Sequence, residues 1–154
     1  MLHEVPAVCS CPPGPGVFVS EASANETLSI PGTGLCVNHP GILLWLNTTG
    51  PGTIVLTATA TVVVSKVSLM AGTPNLAVFI GESWSDCRQD PYFATVSMPG
   101  DTAGFDEVSV ALQEVLDVSS PAAHAFYLNA ELLTSGGNPA TILRASLLGI
   151  FYPA

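Results

Sequence analysis

The stretch TIVLTATATVVVSKVSLMAG, residues 53–72, contains a single charged residue, Lys66. Aliphatic residues and alanines occupy its even positions from 54 to 64, and threonines occupy positions 57, 59 and 61. Because successive side chains of a strand point to opposite faces, this period of two predicts a long β-strand. A membrane helix would need about 20 predominantly apolar residues, and β-branched threonines favour an extended chain. The threonine face is uncharged, which suits contact with another protein.

The composition indicates one domain with a weakly charged surface. The chain has 154 residues, 48% of them hydrophobic and only 10% charged, against about 25% charged in an ordinary soluble domain. A shortage of charge marks interface cores, so we expect partners to bury part of the surface. Lys66, Arg88 and Arg144 are the only basic residues, and the net charge is -9. Nucleic acid and anionic membranes are therefore not expected partners.

The N-terminal sequence MLHEVPAVCSCPPGPGVFVS has neither the basic region nor the apolar core of a secretion signal. We therefore expect a protein that is made and assembled in a cytoplasm. Its four cysteines are Cys9, Cys11, Cys36 and Cys87, and free thiols are the default in a reducing compartment. A disulfide between Cys36 or Cys87 and the N-terminal segment is the alternative.

Residues 1–25 are predicted to form an extended N-terminal arm. The segment CPPGPG, residues 11–16, stacks three prolines and two glycines, which neither a helix nor a central strand accommodates. Residues 26–154 are predicted to form the folded domain.

The domain sequence is a series of strand candidates separated by proline and glycine turns. We therefore predict an all-β fold: an antiparallel β-sandwich or jelly roll of about eight strands. One segment, FDEVSVALQEVLDV at 105–118, also fits a helical period through Val108, Leu112, Val115 and Leu116, so a helix is the alternative there. The strand candidates are ETLSI, GLCV, ILLWLNTT, the stretch from residue 53, NLAVFIGES, YFATVSM, EVSVALQEVLDV, AHAFYLNAELL and ATILRASLLGIFY.

The sequence contains no convincing active site. None of the three histidines, His3, His39 and His124, accompanies a serine or cysteine in a recognised nucleophile motif. We therefore expect a protein that is not an enzyme and uses no cofactor.

Metal binding is an alternative hypothesis for two groups of residues. Cys9-x-Cys11 and Cys36-x-x-His39 offer two pairs of zinc ligands, although free thiols are the expectation. The acids of ESWSDCRQD and GDTAGFDE supply calcium-type oxygens but lack the spacing of a calcium loop, so we expect solvated acids. Trp45 and Trp84 are expected to be core or interface anchors, with carbohydrate stacking as the alternative.

The segment from residue 26 onward resembles the trimeric jelly-roll heads of the tumour necrosis factor and complement type, and the decoration proteins of tailed-bacteriophage capsids that share their fold. The resemblance lies in the strand count and in the closing strand ASLLGIFYP, residues 145–153, where small residues alternate with aliphatic and aromatic ones. In those families the closing strand lies near the threefold axis. The missing secretion signal and collagen-like triplets favour the phage members.

This resemblance implies a structural virion protein: a homotrimer that decorates and cements a capsid by bridging its subunits. The implied partners are further copies of the chain and the major capsid protein, and the implied location is the virion surface after assembly in the host cytoplasm. The alternative is the head of a phage fibre or spike that binds a host receptor. A secreted lectin-like or cytokine-like trimer is a third possibility.

Two sets of residues are predicted to make the contacts. The capsid-contact arm comprises Val5, Pro6, Val8, Pro12, Pro13, Val17 and Phe18. The oligomer interface comprises Thr57, Thr59, Thr61, Leu147, Phe151 and Tyr152.

Overall fold

A computed structural model describes residues 16–68, 70–87, 93–98, 103–134 and 139–154. Within these ranges the chain forms nine β-strands. They are β1 (Phe18–Ala24), β2 (Leu28–Ile30), β3 (Cys36–Thr48), β4 (Gly52–Lys66), β5 (Asn75–Gly81), β6 (Phe93–Ser97), β7 (Gly104–Val118), β8 (Ala122–Thr134) and β9 (Ala140–Pro153). In the described ranges no helix could span a membrane.

The strands form two antiparallel sheets. Sheet A has the order β1-β9-β4-β7, with the short β2 also paired to β9, and sheet B has the order β3-β8-β5-β6. The pairs are nested along the chain: β1 pairs with β9, β3 with β8, β4 with β7 and β5 with β6. A long hairpin rolled into two sheets produces this nesting, which is the jelly-roll arrangement. The predicted all-β jelly-roll class is confirmed.

The alternation noted in residues 53–65 places one side of β4 in the core. Ile54, Leu56 and Val62 are fully buried, and the threonines between them point away from the core. Full burial of each such side chain contributes about 1.5 to 3 kcal/mol. Lys66, the charged residue of the stretch, ends the strand and is itself buried.

The two sheets pack closely at Gly149 of β9. A Cβ atom at this inward position would lie 2.9 Å from Leu44 Cδ2 of sheet B and 3.2 Å from Leu56 Cδ2. Gly149 therefore makes room for the two leucines, and the sheets meet without a gap there. The buried core comprises Ile30, Ile42, Leu44, Leu46, Ile54, Leu56, Val62, Val64, Leu76, Val78, Phe126, Leu128, Leu132, Ile142, Leu147 and Phe151, with smaller side chains between them.

Three sequence expectations need adjustment. Residues 105–118 are strand β7, and the helical alternative is wrong, because β7 pairs with β4 along its whole length. The segment HPG, residues 39–41, was expected to be a turn between the strand candidates GLCV and ILLWLNTT, but it lies within β3, where the register with β8 shifts between Asn38 and Leu43. Of the predicted arm, residues 1–15 lie outside the described residues, and residues 18–24 form β1, which pairs with β9 of the same chain.

Candidate interaction surfaces

Sheet A has one side on the core and the other directed away from it. We call the outward side of its four long strands the open face. Its side chains are Val19, Glu21 and Ser23 of β1; Arg144, Ser146, Leu148, Ile150 and Tyr152 of β9; Thr53, Val55, Thr57, Thr59, Thr61 and Val63 of β4; and Phe105, Glu107, Ser109, Ala111, Gln113, Val115 and Asp117 of β7.

The register arranges the open face in rows that cross the sheet. One row is apolar and consists of Val19, Ile150, Val55 and Val115. Val19 and Val115 at its two ends are 53% and 50% exposed. Because contiguous exposed apolar side chains usually mark a contact surface, this row is a candidate centre of an interface.

Charged side chains lie mainly at the margins of the open face. Glu21 belongs to the edge strand β1, and Glu107 and Asp117 belong to β7 at the opposite edge. The two central strands contribute one outward charge, Arg144. The open face therefore has the charge-poor centre and charged rim of a protein interface.

A groove of about 560 Å³ crosses one end of the open face. Its floor carries a hydroxyl pair, with Thr59 Oγ1 and Ser146 Oγ 2.7 Å apart. Arg144 is the only charged residue among the described residues that line it. A register shift in β9 pairs Arg144 with Thr61 on the outward side, as bulges commonly re-aim a side chain. The lining residues are Ser23, Ala24, Asn25, Thr59, Ala60, Thr61, Ser109, Val110, Ala111, Arg144, Ala145 and Ser146.

The predicted oligomer-interface residues divide between two sides of the sheet. Thr57, Thr59 and Thr61 point outward, and Tyr152 is 45% exposed. The assignment of Leu147 and Phe151 needs correction, because both are fully buried in the core of the subunit. The strand alternates, so the outward positions are those of Leu148 and Ile150.

The structure describes only the end of the predicted capsid-contact arm. Val5, Pro6, Val8, Pro12 and Pro13 lie outside the described residues. Val17 directly precedes β1, the edge strand of sheet A. Phe18 pairs with Phe151 across the strands, and their ring centroids are 6.3 Å apart. Phe18 therefore packs partly against its own subunit.

The expected free thiols are wrong for two of the four cysteines. Cys36, at the start of β3, and Cys87, after β5, form a disulfide with a Cα–Cα distance of 5.6 Å. Because Cys36 and Cys87 are bonded to each other, neither forms the alternative disulfide with a cysteine of the N-terminal arm. The spacing of the cysteines in the sequence could not reveal this pair. The start of β3 and the connection between β5 and β6 come close together only when sheet B forms.

Two of the four residues proposed as zinc ligands, Cys36 and His39, are occupied by other interactions. Cys36 is oxidised in the disulfide and cannot act as a thiolate ligand, and both ring nitrogens of His39 have protein partners. Cys9 and Cys11 lie outside the described residues. Among the residues that the structure describes, no group of three or more His, Cys, Asp or Glu could hold a metal ion.

His39 is a fully buried histidine whose hydrogen bonds define its tautomer. The Gly41 N–H donates to His39 Nδ1 at 3.3 Å. The proton therefore lies on Nε2, which donates to the Glu26 carbonyl oxygen at 3.1 Å. Burial lowers the pKa of His39, against smaller opposing effects of the Glu26 backbone hydrogen bond and the Glu26 carboxylate.

This lowered pKa predicts a loss of stability at acidic pH. Below about pH 6.5 the unfolded chain takes up a proton on His39 more readily than the folded chain does. The free energy of unfolding should therefore be fully retained above that pH and fall as the pH falls below it. Urea denaturation between pH 7.5 and 5, compared with His39→Gln, measures the effect, since glutamine keeps an N–H donor and does not titrate. Parallel pH profiles of the two proteins would contradict the prediction.

A second surface lies on the outer side of sheet B, where residues 82–87 fold over the strands. We call this segment the anchored loop. The disulfide holds its end at Cys87, and Asn129 of β8 donates from Nδ2 to the carbonyl oxygens of Ser83 at 2.9 Å and Asp86 at 2.8 Å. Asn38 of β3 donates to Asn129 Oδ1 at 3.3 Å. Covalent and polar contacts thus fix the loop over the outer side of the sheet.

Gly81 and Asn129 show why the anchored loop can lie so close to the strands. A Cβ atom on Gly81 would lie 2.8 Å from Asn129 Nδ2 and 2.9 Å from the Asp86 carbonyl oxygen. Asn129 is fully buried and uses both ends of its amide. The sequence prediction did not include this residue; the available signal was an asparagine between Leu128 and Ala130 in the apolar part of a strand, where an amide needs buried partners.

A depression of about 290 Å³ lies next to the anchored loop, lined by Trp45, Glu82, Ala123, His124 and Ala125. Trp45 is 59% exposed, and Trp84 on the loop is 68% exposed. Neither is a core residue, so the role of an interface anchor and the alternative of carbohydrate stacking remain predictions. His124 faces the interior, since it stacks on Phe126 with ring centroids 6.0 Å apart and its Nε2 lies 3.5 Å from Thr48 Oγ1.

No protein-family model matches the chain, and no curated protein matches it significantly. The chain is similar to the Eiger tumour necrosis factor of S. frugiperda, at 6% identity, with 90% of this chain and 94% of the other covered and a TM-score of 0.47. It is similar to a structure of infectious bursal disease virus, Gx strain, at 14% identity, with 99% and 36% covered and a TM-score of 0.47. It is also similar to the globular domain of a zebrafish complement 1qA protein, at 11% identity, with 88% and 98% covered and a TM-score of 0.39.

These solved structures include both a tumour necrosis factor and a complement domain, the two types of head that the sequence resembles. At such low identities and TM-scores they carry no argument about function. The fold class rests on the nested strand pairs, and function has to be argued from the two surfaces.

Proposed function

We propose that this protein is a structural component of a virion: a homotrimer that decorates a capsid and stabilises it by bridging capsid subunits. The observation that supports this proposal is the open face of sheet A. Four long strands there present an apolar row and rows of small neutral side chains, with charge mainly at the edges. In a chain with net charge -9, such a face is suited to burial against a partner.

The proposed trimer uses the open face for contact between copies. Val55, Ile150 and Leu148 supply apolar area, and Thr57 and Thr59 supply hydroxyl groups. Each Å² of apolar surface that is buried contributes about 25 cal/mol, and this gain has to exceed the cost of association.

The proposed partner outside the trimer is the major capsid protein, and the proposed contact is the N-terminal arm. The arm precedes β1, which lies at the edge of sheet A, so we propose that the capsid contact is made at that edge. A segment there can add to the edge of a neighbouring sheet. A capsid under pressure from packed DNA separates where its subunits meet, and contacts across those seams raise the cost of separation.

The proposed location is the outer surface of the virion after assembly in the host cytoplasm. The Cys36–Cys87 disulfide is compatible with the virion surface, where disulfides persist. In the reducing cytoplasm we expect the two thiols to be free and the disulfide to form after the virion is released.

One observation favours a second candidate function, the head of a fibre or spike that binds a host receptor. Trp45 and Trp84 are both largely exposed on the side of the molecule that the open face leaves free. Tryptophan is enriched at binding hot spots.

The trimer is tested by placing a charge in the open face. Thr59→Glu introduces a carboxylate next to Ser146 and Ala111, in the charge-poor centre of the open face, where burial against another copy would remove it from water. We expect wild type to form a trimer in light scattering and Thr59→Glu to form a folded monomer with unchanged circular dichroism. Asn47→Glu adds the same charge to the exposed outer side of sheet B and should remain trimeric.

The capsid role is tested by co-sedimentation with intact shells that lack this protein. Wild type and Asn47→Glu should sediment with the shells, and Thr59→Glu should bind at least tenfold more weakly because it loses the avidity of a trimer. Wild type that stays in the supernatant at all concentrations would overturn the decoration proposal. The proposal of a trimer would be overturned if the wild-type protein is monomeric both in solution and when bound to the shell.

A further inference from the structure

The depression beside the anchored loop combines an aromatic face with a carboxylate. Trp45 lies opposite Ala125 in the pairing of β3 with β8, and Ala123 lies two residues along β8. Alanine side chains are too short to cover an indole, so much of Trp45 stays open to solvent. Glu82, the first residue of the anchored loop, contributes the carboxylate of the depression and is exposed.

The electrostatics of this side of the molecule favour a positively charged ligand. In the part of the chain that the structure describes, the basic residues are Lys66 and Arg144, and both belong to strands of sheet A. Sheet B and the anchored loop carry Glu82, Asp86 and Glu131 instead. Among the described residues of sheet B and the anchored loop, a cation that approaches the depression therefore meets carboxylates and no lysine or arginine.

We propose that this depression binds an organic cation, an ammonium or guanidinium group, with Trp45 as the aromatic face and Glu82 as the counter-charge. A cation over an indole is attracted by the negative potential of the ring face, and tryptophan is the strongest of the aromatic side chains in this respect. The cation can belong to a small free molecule or to a lysine or arginine side chain of a partner. The volume of about 290 Å³ accommodates either head group.

The rigidity of the anchored loop supports this assignment. Glu82 directly follows Gly81 of β5, and the loop beyond it is held by the Asn129 hydrogen bonds and the Cys36–Cys87 disulfide. Trp45 lies in the middle of a paired strand. The backbone segments that carry Trp45 and Glu82 are therefore held in place without a ligand, and binding does not have to order them.

The experiment follows the two tryptophan indole N–H signals by NMR during titration with choline, with Trp84→Phe identifying the Trp45 signal. We expect choline to shift the Trp45 signal and the neutral isostere 3,3-dimethylbutan-1-ol to leave it unchanged at the same concentration. N-acetyl-lysine-methylamide, titrated separately, distinguishes the sources. Binding of choline alone indicates a small free cation, and binding of the blocked lysine indicates a partner side chain.

Three variants test the roles of the residues through choline-induced shifts of neighbouring backbone amides. Trp45→Ala should weaken binding about 2- to 30-fold, and Glu82→Gln should weaken it by a smaller factor of about 1.5 to 5. Trp84→Ala removes the other exposed tryptophan, which does not line the depression, and should bind as wild type does. All three positions are exposed, so thermal melting should confirm that the fold is retained.

The proposal is overturned if neither choline nor the blocked lysine shifts the Trp45 signal, or if the neutral isostere shifts it as much as choline does. It is also overturned if methyl glucoside shifts the signal and choline does not, because the site would then be a saccharide platform. Unchanged affinity in both Trp45→Ala and Glu82→Gln would place the cation elsewhere.

Discussion

Replacing Phe151 by alanine is expected to lower the free energy of unfolding by about 3 to 5 kcal/mol, a large share of the 5 to 15 kcal/mol that stabilises a typical domain. Phe151 is fully buried and packs against Phe18. The ring also fills the space beside Gly52, where an added Cβ would lie 2.6 Å from Phe151 Cε2. The alanine variant would leave a cavity that neighbouring strands cannot close.

Urea denaturation of the variant gives this change directly. Glu21→Ala is the control, because Glu21 is exposed on β1, and it should alter the free energy of unfolding by less than about 0.5 kcal/mol. An unchanged denaturation midpoint for Phe151→Ala would show that β9 does not occupy the core position described.

Loss of the Cys36–Cys87 disulfide is expected to have the second-largest effect, about 2 to 5 kcal/mol. The two cysteines are 51 positions apart, so the cross-link removes many conformations from the unfolded chain. Reduction also frees the end of the anchored loop, which Asn129 still holds through hydrogen bonds to the Ser83 and Asp86 carbonyl oxygens. The unfolding midpoint in urea should therefore fall when a reductant is added.

The measurement is best made with Cys9 and Cys11 replaced by serine, so that only one pair of thiols responds. Additional replacement of Cys36 and Cys87 by serine gives a control whose midpoint should be low and independent of reductant. If both cysteines of the unreduced protein react with an alkylating reagent under native conditions, the disulfide is absent and this prediction is wrong.

The sequence predicted those parts of the fold that depend on local pattern. The period of two in residues 53–65 identified β4 and its buried side, and the alternation in ASLLGIFYP identified β9. It also predicted that the two sides of β9 have different surroundings. It did not predict which side is the core, because both sides are apolar, and Leu147 and Phe151 were placed on the interface.

The parts that escaped prediction depend on contacts between distant segments. The Cys36–Cys87 pair and the bonds of Asn129 join β3, β8 and the anchored loop, and none of these contacts leaves a periodic signal. The depression at Trp45 likewise arises from three segments. The sequence predicted a core or interface anchor at Trp45, with carbohydrate stacking as the alternative, and only the folded chain shows that Glu82 lines the same depression.

The pairing of β1 with β9 has a consequence for how the protein folds. Phe18 lies opposite Phe151, and Ala24 lies opposite Ala145, so β1 has no partner until most of the chain has left the ribosome. Such pairing gives a high contact order, and sheets of this type fold in milliseconds to seconds. During synthesis β4 emerges before its partners β7 and β9, so its apolar residues stay exposed and can associate with other chains. The nascent chain is therefore expected to need chaperone protection until β9 emerges and completes sheet A.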